Sequence, residues 1–291
     1  MIEITVHDIG EFLGVDCLDN LIINCCSTLD EMKENSVCFS KNYSQDIVDK
    51  TKDRNILIIA CEEYKDKLLC PYILSKNPRL DYIKIVNKFF RKKEVYAIDK
   101  TAVVLSNVND VKIGPFSYIE KGVTIGKHSI IESNVIIKEN TDIGENCIIK
   151  AGAVIGGSGF GYEFDESGIP HQFYHTGNVK IGNNVHIGSN TCIDKGTLGS
   201  TKINDNVKID NLVHVAHNCL IEENTLVIAG AELSGGVHLG KNVWVGPNSC
   251  IREKLYIGNN ALIGIGSVVV KNIESNNVYA GNPAKLLKTN N

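Results

Sequence analysis

From residue 113 onward, a branched apolar residue returns at every sixth position. Isoleucine holds it at 113, 119, 125, 131, 137, 143, 149 and 155, and again at 181, 187 and 193. The beat then continues through Ile203, Ile209, Val215, Ile221, Val227, Leu233, Leu239, Val245, Ile251, Ile257, Ile263 and Val269. A period of six matches neither a helix nor a lone strand. It predicts a parallel β-helix in which each short strand sends one branched side chain inward. Three hexads close one turn, which gives about seven to eight turns. Residues 101–112 lead into this solenoid.

The beat is interrupted twice. Between Ile155 and Ile181 the stretch GGSGFGYEFDESGIPHQFYHTGNVK (156–180) loops out, and four extra residues lie within DKGTLGST between Ile193 and Ile203. Such interruptions add nothing to the core and are where function concentrates. After Val269 the chain is expected to leave the repeat, with 273–291 as a tail.

Residues 1–100 have a different texture. SVCFS (36–40) and ILIIAC (56–61) read as short apolar strands, and 44–53 and 78–93 carry helical spacing with Pro78 in a first turn. The fold class is therefore mainly β: a β-helix over 101–272 with the inserted loop 156–180, preceded by a small α/β domain over 1–100. The flat faces of such a prism suit a threefold axis, so a homotrimer is expected.

Composition narrows the function. The chain has 291 residues and a net charge of −4. No basic patch argues for nucleic acid. The first residues show no signal peptide, and no apolar run is long enough for a membrane span. The ten cysteines lack paired spacing. Cys147 and Cys219 fall four residues after a hexad position, where small residues face inward. Most of the ten are expected to be reduced in a cytoplasmic protein.

Positions three hexads apart stack on one face. In that register His217 points outward, with Asp194 and Lys195 below it and Ser234 and Gly235 above. An outward histidine near a carboxylate has the parts of a general base with an orienting acid; the alternative is a solvated surface histidine. His186, His214 and His238 each precede a hexad position and read as repeat-surface residues. A zinc site on His214 and His217 lacks a third ligand, so no metal is expected. GGSGFG (156–161) has no helix after it, which excludes the dinucleotide-binding reading. Its glycines instead let a loop turn sharply and approach a ligand, with Phe160 and Tyr162 meeting a substrate or a neighbouring subunit.

Together, GGSGFGY, HIGSNTCIDKG and KIDNLVHVAHN resemble the bacterial N-acyltransferases of lipid A synthesis. Those left-handed β-helix enzymes move a 3-hydroxyacyl chain onto the 2-amino group of a UDP-glucosamine derivative. SVCFSKNY (36–43) and NPRL (77–80) look like that family's uridine-binding domain, which implies that Phe39 and Tyr43 sandwich the base. The resemblance also implies that His217 is the catalytic base, with Asn218 beside it and Asp194 orienting it. Ser234 would face the substrate, and a backbone N–H near Gly235 would hold the oxyanion.

Two departures bear on the acyl donor. Where the family carries a second histidine, CIREKLYIG places Glu253 and Lys254. In place of a helical extension, the ending SVVVKNIESNNVYAGNPAKLLK is similar to hexapeptide acyltransferases that use acyl-coenzyme A. The resemblance therefore implies transfer of an acetyl or short 3-hydroxyacyl group from acyl-CoA to a dTDP- or UDP-linked deoxyamino sugar, as in the anthrose-type enzymes of cell-surface polysaccharide synthesis. The alternative is the carrier-protein-dependent UDP-3-O-acylglucosamine N-acyltransferase itself. A purely structural or binding module is a third reading, which leaves the two loops beside a histidine unexplained.

Overall fold

The computed structural model describes residues 3–17, 19–92 and 94–289. The chain divides into two compact units, Met1–Lys93 and Glu94–Asn291.

In the first unit four strands run parallel in chain order: Cys25–Cys26, Ser36–Ser40, Ile56–Ala60 and Tyr72–Leu74. The strand Ile56–Ala60 is buried at every position. Leu57 and Ile59 enter one apolar cluster, while Ile56, Ile58 and Ala60 enter another. A strand covered on both faces reads as a continuous apolar run rather than an alternation. Helix Val6–Leu13 opens on a reciprocal cap between Thr5 and Asp8 and ends on Gly14 in the left-handed region. Helix Pro78–Ile85 starts with its proline in the first turn, where the missing N–H costs nothing, and Asn77 caps it.

The second unit is a parallel β-helix with sheets of 7, 10 and 9 strands, most of them two residues long. The hexad residues form one continuous core, from Ile113 at 1% exposure to Val269 at 1%. Corners fall three residues after a hexad position and take a left-handed backbone. Asn134, Asn140, Asn146, Asn184, Asn218 and Asn248 supply it there, since asparagine tolerates that region better than most side chains. Cys147 and Cys219 are both fully buried in the fourth position after the beat.

The ladder extends past the hexads at both ends. Val103–Val104 pairs with Tyr118–Ile119, and Ile98 bridges Ile113. The segment expected to leave as a tail stays on the prism instead. Asn277–Ala280 adds parallel to Leu262–Ile263, and Lys285–Thr289 folds back antiparallel on it. Unpaired backbone at a sheet's edge recruits any strand that can reach it, even without the sixfold beat.

Both interruptions preserve the register. Ile155 stacks on Ile193, Ile193 on Val215, and Val215 on Leu233. The long insertion forms an antiparallel hairpin, Tyr162–Phe164 with Pro170–Gln172. The two loop-outs also dock on each other. Lys195 N donates to Gly157 O at 2.8 Å, and Thr176 N donates to Thr197 O at 2.8 Å. Gly177 fits only because it has no Cβ, which would collide with the carbonyls of Gly196 and Gly199.

Candidate active site

His217 follows the strand His214–Val215 at a corner of the prism and is half-buried. Its Nδ1 lies 3.0 Å from Asn218 Oδ1. That oxygen also accepts from Thr197 N and Thr197 Oγ1, each at 3.1 Å. A backbone N–H only donates, so Asn218 presents its carbonyl oxygen here, and His217 must carry its proton on Nδ1. Nε2 is left with a lone pair, the protonation state a general base requires.

Asp194 does not orient His217, contrary to the sequence expectation. Its Oδ2 lies 3.2 Å from His214 Nε2. The strands explain this, because Cys192 pairs with His214 across the step, which brings His214 over the end of the lower strand Cys192–Asp194. The Asp194 carboxylate raises the His214 pKa against the opposing effect of burial, and Glu232 adds to the rise from 3.9 Å. The orienting group of His217 is Asn218, its neighbour in sequence.

The insertion closes over this corner. A Cβ on Gly159 would stand 2.8 Å from His175 Cε1, 3.0 Å from His217 Cδ2 and 3.2 Å from Asp194 Oδ2. The His175 and His217 rings meet edge to face at 5.2 Å. Gly235 lies against the His217 ring from the next coil, where a Cβ would come within 2.7 Å of Cε1. Ser234 Oγ donates to Glu232 at 3.2 Å, so its hydroxyl belongs to the Glu232–His214–Asp194 row. Lys195, 7% exposed, lays its stem into this corner and brings Nζ to 3.9 Å from Glu139 and 5.7 Å from the Tyr174 ring.

Phe160 and Tyr162 stand on the hairpin with ring centroids 4.8 Å apart. With Gly161, Phe164 and Pro170 they line an apolar hollow of about 560 Å³. Phe160 is 87% exposed and, with the exposed Tyr162 and Phe164, makes a contiguous aromatic patch of the kind that marks an interaction site.

In the first unit the expected Phe39–Tyr43 pair does not form. Phe39 packs against Tyr82 with ring centroids 4.9 Å apart and planes tilted by 39°, and both line a hollow of about 560 Å³ with Ser27, Asp30, Lys41 and Asn42. Tyr43 packs on Tyr64 at 5.1 Å with Lys67 Nζ over its ring. The two residues sit in different clusters, Phe39 with Leu57 and Ile59, Tyr43 with Ile56 and Ile58. The alternation of that strand sends these clusters to opposite faces of the sheet. Burial pushes the Tyr82 phenol up to about 12, so it stays a neutral hydroxyl.

Reading the sequence alone set His214 aside as a repeat-surface residue and missed His175 and Tyr82. His214 had a usable signal, the HVAH spacing beside His217. His175 and Tyr82 had none, because long-range folding brings them to their places.

Among the described residues no three His, Cys, Asp or Glu side chains converge as metal ligands. No helix among the described residues is long and apolar enough to cross a membrane.

Comparison with known proteins bears out the resemblance of the repeat. Residues 109–139 match the bacterial transferase hexapeptide family, and residues 178–213 match the hexapeptide repeat of succinyl-transferase. The UDP-3-O-acylglucosamine N-acyltransferase of Campylobacter lari is 35% identical over 135 residues, 46% of this chain and 42% of that protein. The Wolinella succinogenes protein of the same name is 41% identical over 132 residues, covering 45% and 42%. The matches thus span less than half the length of these relatives. Among solved structures, the UDP-N-acetylglucosamine acyltransferase of Campylobacter jejuni superposes with a TM-score of 0.60 at 28% identity, over 67% of this chain and 75% of that one. The Francisella novicida enzyme gives 0.61 at 27%, over 67% and 71%. By fold the chain is a left-handed β-helix, and two stretches of its repeat match hexapeptide-repeat transferase families.

Proposed function

We propose that the protein is an N-acyltransferase acting on the amino group of a nucleotide-linked sugar, of the UDP-3-O-acylglucosamine N-acyltransferase kind. The observation that carries this reading is His217, whose proton is fixed on Nδ1 by Asn218 so that Nε2 can accept one. The sugar's amine attacks the thioester carbonyl. As the N–C bond forms, His217 Nε2 takes the amine proton, and the Gly235 N–H stabilises the oxyanion. The C–S bond then breaks, and the departing sulfur receives the proton from His217. A positioned base supplies roughly 10²–10⁴-fold and one oxyanion donor roughly 10²–10³-fold.

The aromatic hairpin beside His217 favours a long acyl chain. Its hollow is walled by Phe160, Tyr162, Phe164 and Pro170, more apolar surface than an acetyl group needs. With the names of the relatives, this supports a carrier-protein thioester over the short acyl-coenzyme A expected from the C-terminal segment. For the nucleotide, the aromatic hollow beside Phe39 and Tyr82 has the lining a base would stack on. On one sheet the outward positions Ile148, Leu226, Trp244 and Leu262 are apolar, with His186 and Lys208 between the first two, and this apolar surface supports a homotrimer. The ten free cysteines accord with a cytoplasmic location.

The test supplies UDP-3-O-acylglucosamine with 3-hydroxyacyl carrier protein in one reaction and with acyl-coenzyme A of matched chain length in another. Amide formation faster with the carrier protein is expected. Transfer from coenzyme A alone would restore the short-chain reading, and no transfer to any amino sugar nucleotide would sink both.

A further inference from the structure

His175 lies in the inserted loop and has none of its surface exposed. Its Nδ1 accepts the N–H of Gly159 at 3.0 Å. A backbone amide only donates, so Nδ1 keeps its lone pair and the neutral ring carries its proton on Nε2. Nε2 is itself buried and makes no hydrogen bond of normal geometry among the described residues, with the Lys195 backbone as its polar neighbour. His217 has the opposite assignment, with its proton on Nδ1 toward Asn218. The two rings meet at 5.2 Å and 73°, with Gly159 wedged against both.

The charged and titratable groups facing His175 are His217 from the corner coil and Asp194 and Lys195 from the coil below. Burial, then the neighbouring His217 ring, lower the His175 pKa below the usual histidine range; Asp194 and the Lys195 backbone offset this only in part. Protonating Nδ1 would also cost Gly159 its acceptor and break the bond that closes the insertion on itself.

We infer that His175 is a positioning residue for His217: locked by Gly159 as a neutral ring with its proton on Nε2, it holds the His217 ring edge-on in one orientation. Its kinetic consequence rests on the acyl-transfer reading, while its geometry does not.

Two substitutions in the full chain test this. His175→Asn places an amide oxygen where Nδ1 stands, so it can still accept from Gly159 N. His175→Leu keeps bulk without an acceptor. Imidazole ¹⁵N spectra across a pH titration should show wild-type His175 protonated on Nε2 and resisting acid, with His217 protonated on Nδ1. In the Leu variant His217 should become a mixture of tautomers. Its kcat should fall about tenfold or more while KM for the sugar nucleotide stays within about twofold. The Asn variant, which keeps the Gly159 acceptor but not the ring, should recover only part of kcat. An ordinary His175 titration would overturn the inference, as would a Leu variant with unchanged His217 tautomer and kcat. If the Leu variant does not fold, an unchanged His217 tautomer and kcat in the Asn variant overturn it as well. If wild type transfers no acyl group, the functional reading fails, and the spectra still decide the lock.

Discussion

Asp194 Oδ2 lies 3.2 Å from His214 Nε2 across the step between two stacked coils. The contact raises the His214 pKa, so its stabilisation is full below the ordinary histidine value of about 6.5 and fades as pH rises through the raised one. Asp194→Asn should therefore destabilise the protein more at about pH 5.5 than at about pH 8.5. His175 has the opposite sign. Its lowered pKa contributes stability above about 6.5 that is lost as the pH falls. Urea midpoints of wild type and variant at both pH values test the first claim; an equal loss at the two would refute the ion pair.

His217→Ala should reduce kcat by about 100- to 10,000-fold with little change in Tm, because the ring is half-buried at a corner. Asn218→Ala should act in the same direction by releasing the tautomer, although Thr197 loses an acceptor with it. Steady-state rates with the better of the two donors are the measurement. A kcat within a few-fold of wild type would leave substrate positioning as the main source of catalysis.

Gly235→Ala puts a Cβ 2.7 Å from His217 Cε1. The ring can swing toward solvent, so the fold should survive and the loss should fall on kcat, on the order of 100-fold for a misplacement near 1 Å. Comparing rate with Tm separates this from simple unfolding.

Tyr82→Ala should weaken UDP binding about tenfold or more, since a stacked ring contributes roughly 0.5–1.5 kcal/mol beyond its buried area. Tyr43→Ala, whose ring faces Tyr64 and Lys67, should leave UDP affinity nearly unchanged. Calorimetry on both variants reads the difference, and the reverse ranking would return the base to Tyr43.

Ile187, fully buried on the beat, tests the scaffold away from the site. Ile187→Ala should cost about 2–5 kcal/mol and Ile187→Val about 0.5–1.5 kcal/mol, from lost transfer energy and the cavity left behind. Urea unfolding gives both values; a small loss for the alanine variant would mean that the coil collapses around the gap.

The sequence by itself determined the prism. A branched residue on every sixth position can be buried only in strands that stack, so Ile155, Ile193 and Val215 had to share a column despite two loop-outs. It also singled out His217, because a side chain two residues past the beat must face outward. What the side chains at that corner bond to was left to the tertiary structure. A hydrogen bond is decided by tenths of an ångström and by the direction of each lone pair, and a repeat sets only the coil. Hence Asp194 turns to His214, Asn218 sets the His217 tautomer, and a hairpin closure brings His175 from the insertion to His217. The same holds for Tyr82, which a helix carries to Phe39, while Tyr43, beyond the end of the strand, packs on Tyr64 in the other cluster.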